Sequence, residues 1–437
     1  MSRTLSVNAL ILASATVCVG VCAELTAQDP PSEASPKVEY VAITGGTVHI
    51  GTGQLMQGAT VLLANDKIER VGPGIHIPEG ATIIDATGKH VSPGFVIINA
   101  RGMGSGGTAD NPADSVNPFD PQMKMGLAAG ITSFQTLTGS GNGRPGGSST
   151  VFKLAYGDIK GMVLAQNKVA AMSAPLNIAQ IKALKDAVEA AKTYQQEKAE
   201  FDAAEDPQGR EPRAPQGAEQ LLDIMAGKIK LWVSLGGGGG GRGQRGGGRG
   251  GGRGNPNDSI RQALEISRIM GVGVVLQDPI TAWSMANEVA ATGSMVLLNP
   301  RQNVDPDPAH PNTTGSNIAM AHILSEAGVA VAVHSPGSSL GTGGMLGNDL
   351  HTPHIDAAFA VRGGLAREKG LRTLTLDAAV SLGVDDRIGS LESGKDADVL
   401  ILDGDPLHYK TFVETAFVNG KIVYEKAAES LYNHIKR

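Results

Sequence analysis

Leu382-Gly383-Val384-Asp385-Asp386-Arg387-Ile388-Gly389-Ser390-Leu391-Glu392-Ser393-Gly394-Lys395-Asp396-Ala397-Asp398 runs directly into Val399-Leu400-Ile401-Leu402 near the end of the chain. The apolar run reads as a strand, and Ala416–Val423 reads as another. A matching block opens the chain's ordered text. Ala42–Val48, Ala59–Leu63 and Ile68–Val71 are short β-like runs separated by Gly, Asn-Asp and Pro-Gly turn signals. Between the two blocks, the apolar runs Ile131–Leu137, Ile229–Leu235, Val272–Leu276, Met295–Leu298 and Val329–Val333 alternate with helical patterns. Strands covered on both faces read as continuous apolar runs, so this alternation points to βα units around a parallel sheet.

Length and composition agree with that reading. The 437 residues accommodate one α/β barrel of roughly 250 residues and a smaller satellite. Hydrophobic residues make up 41% but aromatics only 4%, so the core is built mainly from Ala, Val, Ile and Leu. A net charge of -6 provides no global attraction for nucleic acid or an anionic membrane. The apolar run Leu10–Ala23 behind Arg3 is too short to span a bilayer and has the length of a secretory h-region. We expect residues 1–27 to be a cleaved signal, with an alternative cut after Ala23, and 28–37 to be a spacer. The expected location is exported, periplasmic or extracellular in a bacterium, with no stable membrane anchor after cleavage. Both cysteines, Cys18 and Cys22, leave with the signal. That excludes disulfides, Cys-ligated zinc and a Cys nucleophile from the mature chain.

Four stretches carry a family resemblance: Ile43–Val48; Ile83–Lys89 leading to Val91-Ser92-Pro93-Gly94-Phe95; Ala128-Ala129-Gly130-Ile131-Thr132-Ser133; and Leu374–Ala379 with Leu382–Asp398. On these the chain resembles the amidohydrolase superfamily, in particular its imidazolonepropionase-like branch. The resemblance implies a distorted (β/α)8 TIM-type barrel, the metal-dependent hydrolase fold, with a small β-sandwich made of the N- and C-terminal segments. The boundaries it suggests are 38–92 and 388–427 for the sandwich, 93–387 for the barrel and 428–437 for a tail. A charged helix from Ala179 to about Ala204 leads into an acidic, Pro-containing surface insert at 197–216. A Gly/Arg insert fills 236–254.

The activity implied by the resemblance is hydrolysis of non-peptide C–N bonds, in amides or cyclic amides, by hydroxide on a divalent ion, typically zinc. The ligand positions do not carry ligands. Where the family has its first His-x-His, this chain has Asn99 and Arg101; later positions fall on Ser234, Gln277 and Pro336. An amide or hydroxyl does not replace imidazole, and a guanidinium repels a cation. No His-x-His occurs anywhere in the chain. No cofactor is therefore expected, zinc being implied by the resemblance alone. The residues favour weak or lost metal-dependent activity, with a ligand- or partner-binding barrel as the alternative.

Four other constellations compete with plainer readings. His334, His351 and His354, with Asp349 and Asp356, could form a relocated metal site, although Pro353 interrupts the usual helical spacing. Gly337–Gly341 matches Gly-x-Ser-x-Gly but is followed by more glycine instead of a helix. Arg101 and Arg144, with Ser148 in the Gly-rich loop after the second barrel strand, are the preferred anion- or ligand-binding set. The Gly/Arg insert lacks interleaved aromatics, so a solvated segment is preferred and no nucleic-acid partner is expected. The expected partner is a small-molecule ligand or substrate, and the sequence leaves homo-oligomerisation open.

Overall fold

Ala42, Ile43, Gly46 and Val48 are buried along the first apolar run, and the unbroken buried run Ala59–Leu63 is covered on both faces, so the first block packs as strands of a sheet. In the computed structural model, which describes residues 38–105, 112–204, 210–235, 256–335 and 352–430, this block contains β1 (Tyr40–His49), β2 (Leu55–Ala64), β3 (Lys67–Gly72), β4 (Thr82–Asp85) and β5 (His90–Pro93). The signal and spacer, both cysteines, the Gly/Arg insert, the Gly337–Gly341 match, Pro336, Asp349 and His351 lie outside the described residues.

The chain continues with β6 (Phe95–Ile97), α1 (Pro121–Ala128), β7 (Ile131–Thr138), β8 (Ser148–Lys153), β9 (Val163–Gln166), β10 (Val169–Ala174), α2 (Ile178–Ala203), α3 (Ala218–Met225), β11 (Lys230–Leu235) and α4 (Pro256–Met270). Next come β12 (Val275–Gln277), α5 (Ala286–Ala291), β13 (Met295–Leu298), α6 (Met320–Glu326), β14 (Val331–Val333), α7 (Pro353–Arg362), α8 (Arg367–Leu374) and α9 (Leu376–Leu382). Finally β15 (Val399–Leu402), β16 (Val413–Val418) and β17 (Lys421–Glu425) return to the first block.

The terminal blocks form one sheet in the order β17-β16-β15-β5-β1-β2-β3, with β4 also on β1. The N- and C-terminal segments are thus joined in one β-domain, as expected. β5 and β15 pair antiparallel, from Pro93↔Val399 to His90↔Leu402, so the two halves share a ladder. The sheet encloses its own core, in which Ile43, Leu63 and Ile68 meet Val399, Ile401 and Phe417. Shifts of register between Ile43 and Val48 bend β1, as bulges do.

The middle of the chain wraps into a distorted barrel. β6 and β7 are parallel, as are β10 through β14 in sequence order. Alternate residues face in: Val96, Ile98, Val169, Ala171, Trp232, Val275, Leu297 and Ala332 belong to one buried cluster closed by Ala378, Ala379 and Leu382 of α9. Their neighbours Phe95, Ile97, Ala170, Leu231, Val233, Leu276 and Val296 pack outward among the helices. Trp232 fills the lumen and donates its indole N–H to the Ser381 carbonyl at 2.9 Å, so space for a ligand is confined to the strands' C-terminal ends. One departure from the eightfold repeat is the antiparallel run β7-β8-β9. The Gly139–Gly147 connection is too short to carry the crossover that a parallel β8 would need.

α2 runs to Ala203, in line with the charged helix expected from Ala179 to about Ala204, and Lys198 in its last turns reaches Asp202 at 2.5 Å and Glu211 at 2.9 Å.

Pro93-Gly94-Phe95 is the joint between sheet and barrel. A Cβ on Gly94 would lie 1.9 Å from Thr132 Oγ1 of β7. Gly94→Ala is therefore expected to lose about 2 kcal/mol through overpacking, seen as a lower urea midpoint with an unchanged slope. Below the barrel, Lys153 at the end of β8 is fully buried. It donates to Asp396 at 2.6 Å, Asp398 at 3.1 Å and the Asn419 Oδ1 at 2.6 Å. Asn419 and Gly420, with φ of 51° and 72°, form the two-residue turn between β16 and β17, where Asn-Gly fits both left-handed positions. Asp396 also accepts two bonds from Arg387 and one from Lys67.

Candidate functional site

Strand alternation delivers a polar ring to the barrel's open end. Inward-facing Trp232, Val275 and Ala332 are each followed two residues later by Ser234, Gln277 and His334, which therefore point the same way. Ser234 and Gln277 are register partners on β11 and β12, and the Ser234 hydroxyl donates to Gln277 Oε1 at 2.8 Å. Asp278 holds His334 Nε2 at 2.8 Å, joining the ends of β12 and β14. Ser335 donates to one oxygen of buried Asp356 at 2.5 Å, and Arg301 Nε donates to the other at 2.6 Å. Of the former ligand positions, Ser234 and Gln277 are thus bonded to each other, with the Asp278–His334 and Ser335–Asp356 contacts beside them.

On β6 and β7, Asn99 has a left-handed φ of 55°, and its N–H donates to the Gln135 Oε1 at 3.0 Å. A backbone N–H can only donate, which fixes the Gln135 amide with Oε1 toward Asn99. Gln135 is fully buried, and its Nε2 has no partner. Such an orphaned donor costs about 1–3 kcal/mol. Asp278 shares the left-handed conformation, with φ of 53°, so two strand ends at this mouth carry backbone strain of the kind found at functional sites.

Burial pushes the His334 imidazole down, but the hydrogen bond and charge of Asp278, with smaller help from Ser335 and Asp356, outweigh it and hold the ring above its ordinary pKa. His354, on the first turn of α7, behaves oppositely: burial, then neighbouring His408, lowers it to about 4, and its Nε2 has no partner. These two histidines do not form a ligand pair. Among the described residues, no three His, Cys, Asp or Glu side chains converge on a point suited to a metal ion. His351, the third member of the proposed relocated site, is not among them.

The zinc centre implied by the resemblance does not fit this donor set. Zinc takes neutral imidazole, thiolate or carboxylate. Asn99, Arg101, Ser234 and Gln277 offer amide, guanidinium and hydroxyl; the imidazole and carboxylate that remain, His334 and Asp278, bind each other. Where the family resemblance places a histidine this chain has Gln277-Asp278, and where it places an aspartate this chain has His334–Pro336. The two residue types stand exchanged.

Of the anion-binding set, Arg101 and Arg144 are both exposed, on the loops after β6 and β7. Ser148 is committed elsewhere, donating to Asn167 Oδ1 at 3.0 Å. The Arg144 loop rests on β10 through Gly141 N–H and Gly146 N–H, both donating to the Ala171 carbonyl, and on α2 through Asn142 and Gln180. Sequence reasoning missed Gln135 and the Arg301–Asp356 pair. A buried glutamine in Thr132–Thr138 was the signal available for the first.

The amidohydrolase family model matches residues 340–424. The imidazolonepropionase of Thermoplasma volcanium is 27% identical over 147 residues, covering 32% of this chain and 33% of its own length. That of Fusobacterium nucleatum is 25% identical over 176 residues, covering 37% and 40%. The chain thus spans well under half the length of these curated relatives. Among solved structures, an amidohydrolase from Thermotoga maritima superposes with a TM-score of 0.64 at 24% identity, over 88% of this chain and all of the other. A prolidase complexed with N-methylphosphonate-L-proline gives 0.51 at 16%, over 89% and 100%. These two show the fold. Motif and partial sequence likeness agree that the chain is similar to amidohydrolases, imidazolonepropionases among them, and the superpositions show that it shares their fold.

Proposed function

We propose that this chain is an exported amidohydrolase-class barrel directed at non-peptide C–N compounds, amides or cyclic amides, with weak or no metal-dependent hydrolysis. One observation carries this reading: two of the former ligand positions, Ser234 and Gln277, are spent on each other, and beside them Asp278 is spent on His334. The Asp278 carboxylate is shared with the His334 ring, and a raised histidine pKa makes metal compete with a proton there.

The unpartnered Nε2 of Gln135 favours a second reading, a ligand-binding barrel without turnover. That donor is buried in the structure, so a carbonyl-bearing small molecule would satisfy it only after local opening beside Asn99.

A panel of amides and lactams assayed after chelator dialysis, with and without added zinc, tests the proposal. The expected result is turnover that zinc leaves unchanged, or none. Zinc-stimulated hydrolysis, or an ion that survives the chelator at about one per chain and is lost on His334→Gln, would overturn it.

A further inference from the structure

A second cluster of histidines lies away from the barrel mouth, on the terminal sheet. β1 and β5 are parallel with Thr47 opposite His90, and residues two apart on a strand share a face. His49 is therefore diagonal to His90 on one surface. Their rings stack at 5.2 Å between centroids, and His49 Nε2 meets His90 Nδ1 at 2.8 Å. His49 borders a cleft between β1 and α8 that is also lined by Gln54, Arg367, Glu368 and Asp405. Burial, and for His49 also the neighbouring His90, lowers both rings. They are thus neutral at neutral pH, the state in which imidazole presents a lone pair.

We infer that His49 and His90 form a two-imidazole binding site for a divalent transition ion of the zinc, nickel or copper type, separate from the barrel mouth. Two nitrogens held at about 2.0–2.1 Å from one ion in tetrahedral geometry stand roughly 3.3 Å apart. The two nitrogens need to separate by about half an ångström from their present contact, and each ring to turn until its lone pair points at the shared ion. One ring shifts its proton to its other nitrogen, so binding requires no net deprotonation. Asp405 supplies negative charge beside both rings. Its bond to Arg367, at 2.5 Å, is a partly exposed pair of small net worth, so an ion can draw on that carboxylate. Borderline-soft cations choose imidazole, whereas magnesium and calcium prefer an oxygen cage; water completes the coordination.

The test is calorimetric titration of tag-free, chelator-treated protein at pH 7.5 with zinc chloride, and in parallel with magnesium chloride. Wild type is expected to take up about one zinc per chain and to melt higher with zinc. His49→Gln and His90→Gln should each weaken uptake by about tenfold or more, while His334→Gln leaves it intact and magnesium gives no heat. Melting curves without metal establish that the variants are folded. Zinc uptake unchanged in His49→Gln, or no uptake by wild type, would overturn the inference. Uptake lost only in His334→Gln would instead count against the proposed function.

Discussion

Asp396→Ala is expected to lower stability by about 3–5 kcal/mol, because removing one partner of a buried ion pair strands the other. Here one carboxylate serves three cations. Asp396 and Lys153 are each 1% exposed at the side chain and 2.6 Å apart, and Arg387 and Lys67 meet the same carboxylate. Burial alone would raise the Asp396 pKa; Arg387 and Lys153 hold it far below the usual carboxylate range. The alanine variant leaves the Lys153 ammonium with Asp398 and Asn419 only. Urea unfolding followed by tryptophan fluorescence measures the loss. The double variant Lys153→Met with Asp396→Leu should recover part of it, since apolar residues of similar volume replace buried ion pairs at little cost. A loss below about 1 kcal/mol, the range of a surface pair, would show that the network is solvated.

The second large effect is loss of stability in acid. His354 is lowered to about 4 from an ordinary 6.5, so between those values it is neutral when folded and charged when unfolded. The unfolded chain then binds the extra proton. The stability this group provides is fully present above pH 6.5 and is lost as pH falls through 4, by about 3 kcal/mol in all. Asp377, raised to about 6 by burial despite Arg372, has the opposite sign: its contribution is present below pH 3.8 and is lost as pH rises through 6. Comparison with His354→Leu isolates the histidine. Denaturant midpoints of the variant should vary less between pH 6.5 and 4 than those of wild type; parallel curves would refute the assignment.

What the sequence made legible follows from the distance over which each interaction acts. Apolar runs such as Val272–Leu276 and the charged stretch after Ala179 report burial and helical periodicity locally, so the barrel strands and α2 were readable. Ala416–Val423, read from sequence as one strand, is instead folded at Asn419-Gly420 into β16 and β17. The contacts that decide the chemistry are not local. Asp278 and His334 are 56 residues apart, and Lys153 and Asp396 are 243 apart. Motif reading could register that ligands were missing but not that the replacements pair with one another. Gln135 was hidden for another reason: a polar residue in an apolar strand is ambiguous until its Nε2 is found buried without an acceptor.

The ladder between β5 and β15 has a consequence for synthesis. His90 and Leu402 pair across more than three hundred positions, so the amino-terminal strands emerge from the ribosome long before their neighbours exist. Until β15 arrives, the β5 edge and the apolar face around Val91 remain open to pairing with other nascent copies. Loop closure of that length also slows folding. Biogenesis of this chain should accordingly depend on holding factors through most of translation, and stalled products ending before residue 399 should be the ones that aggregate.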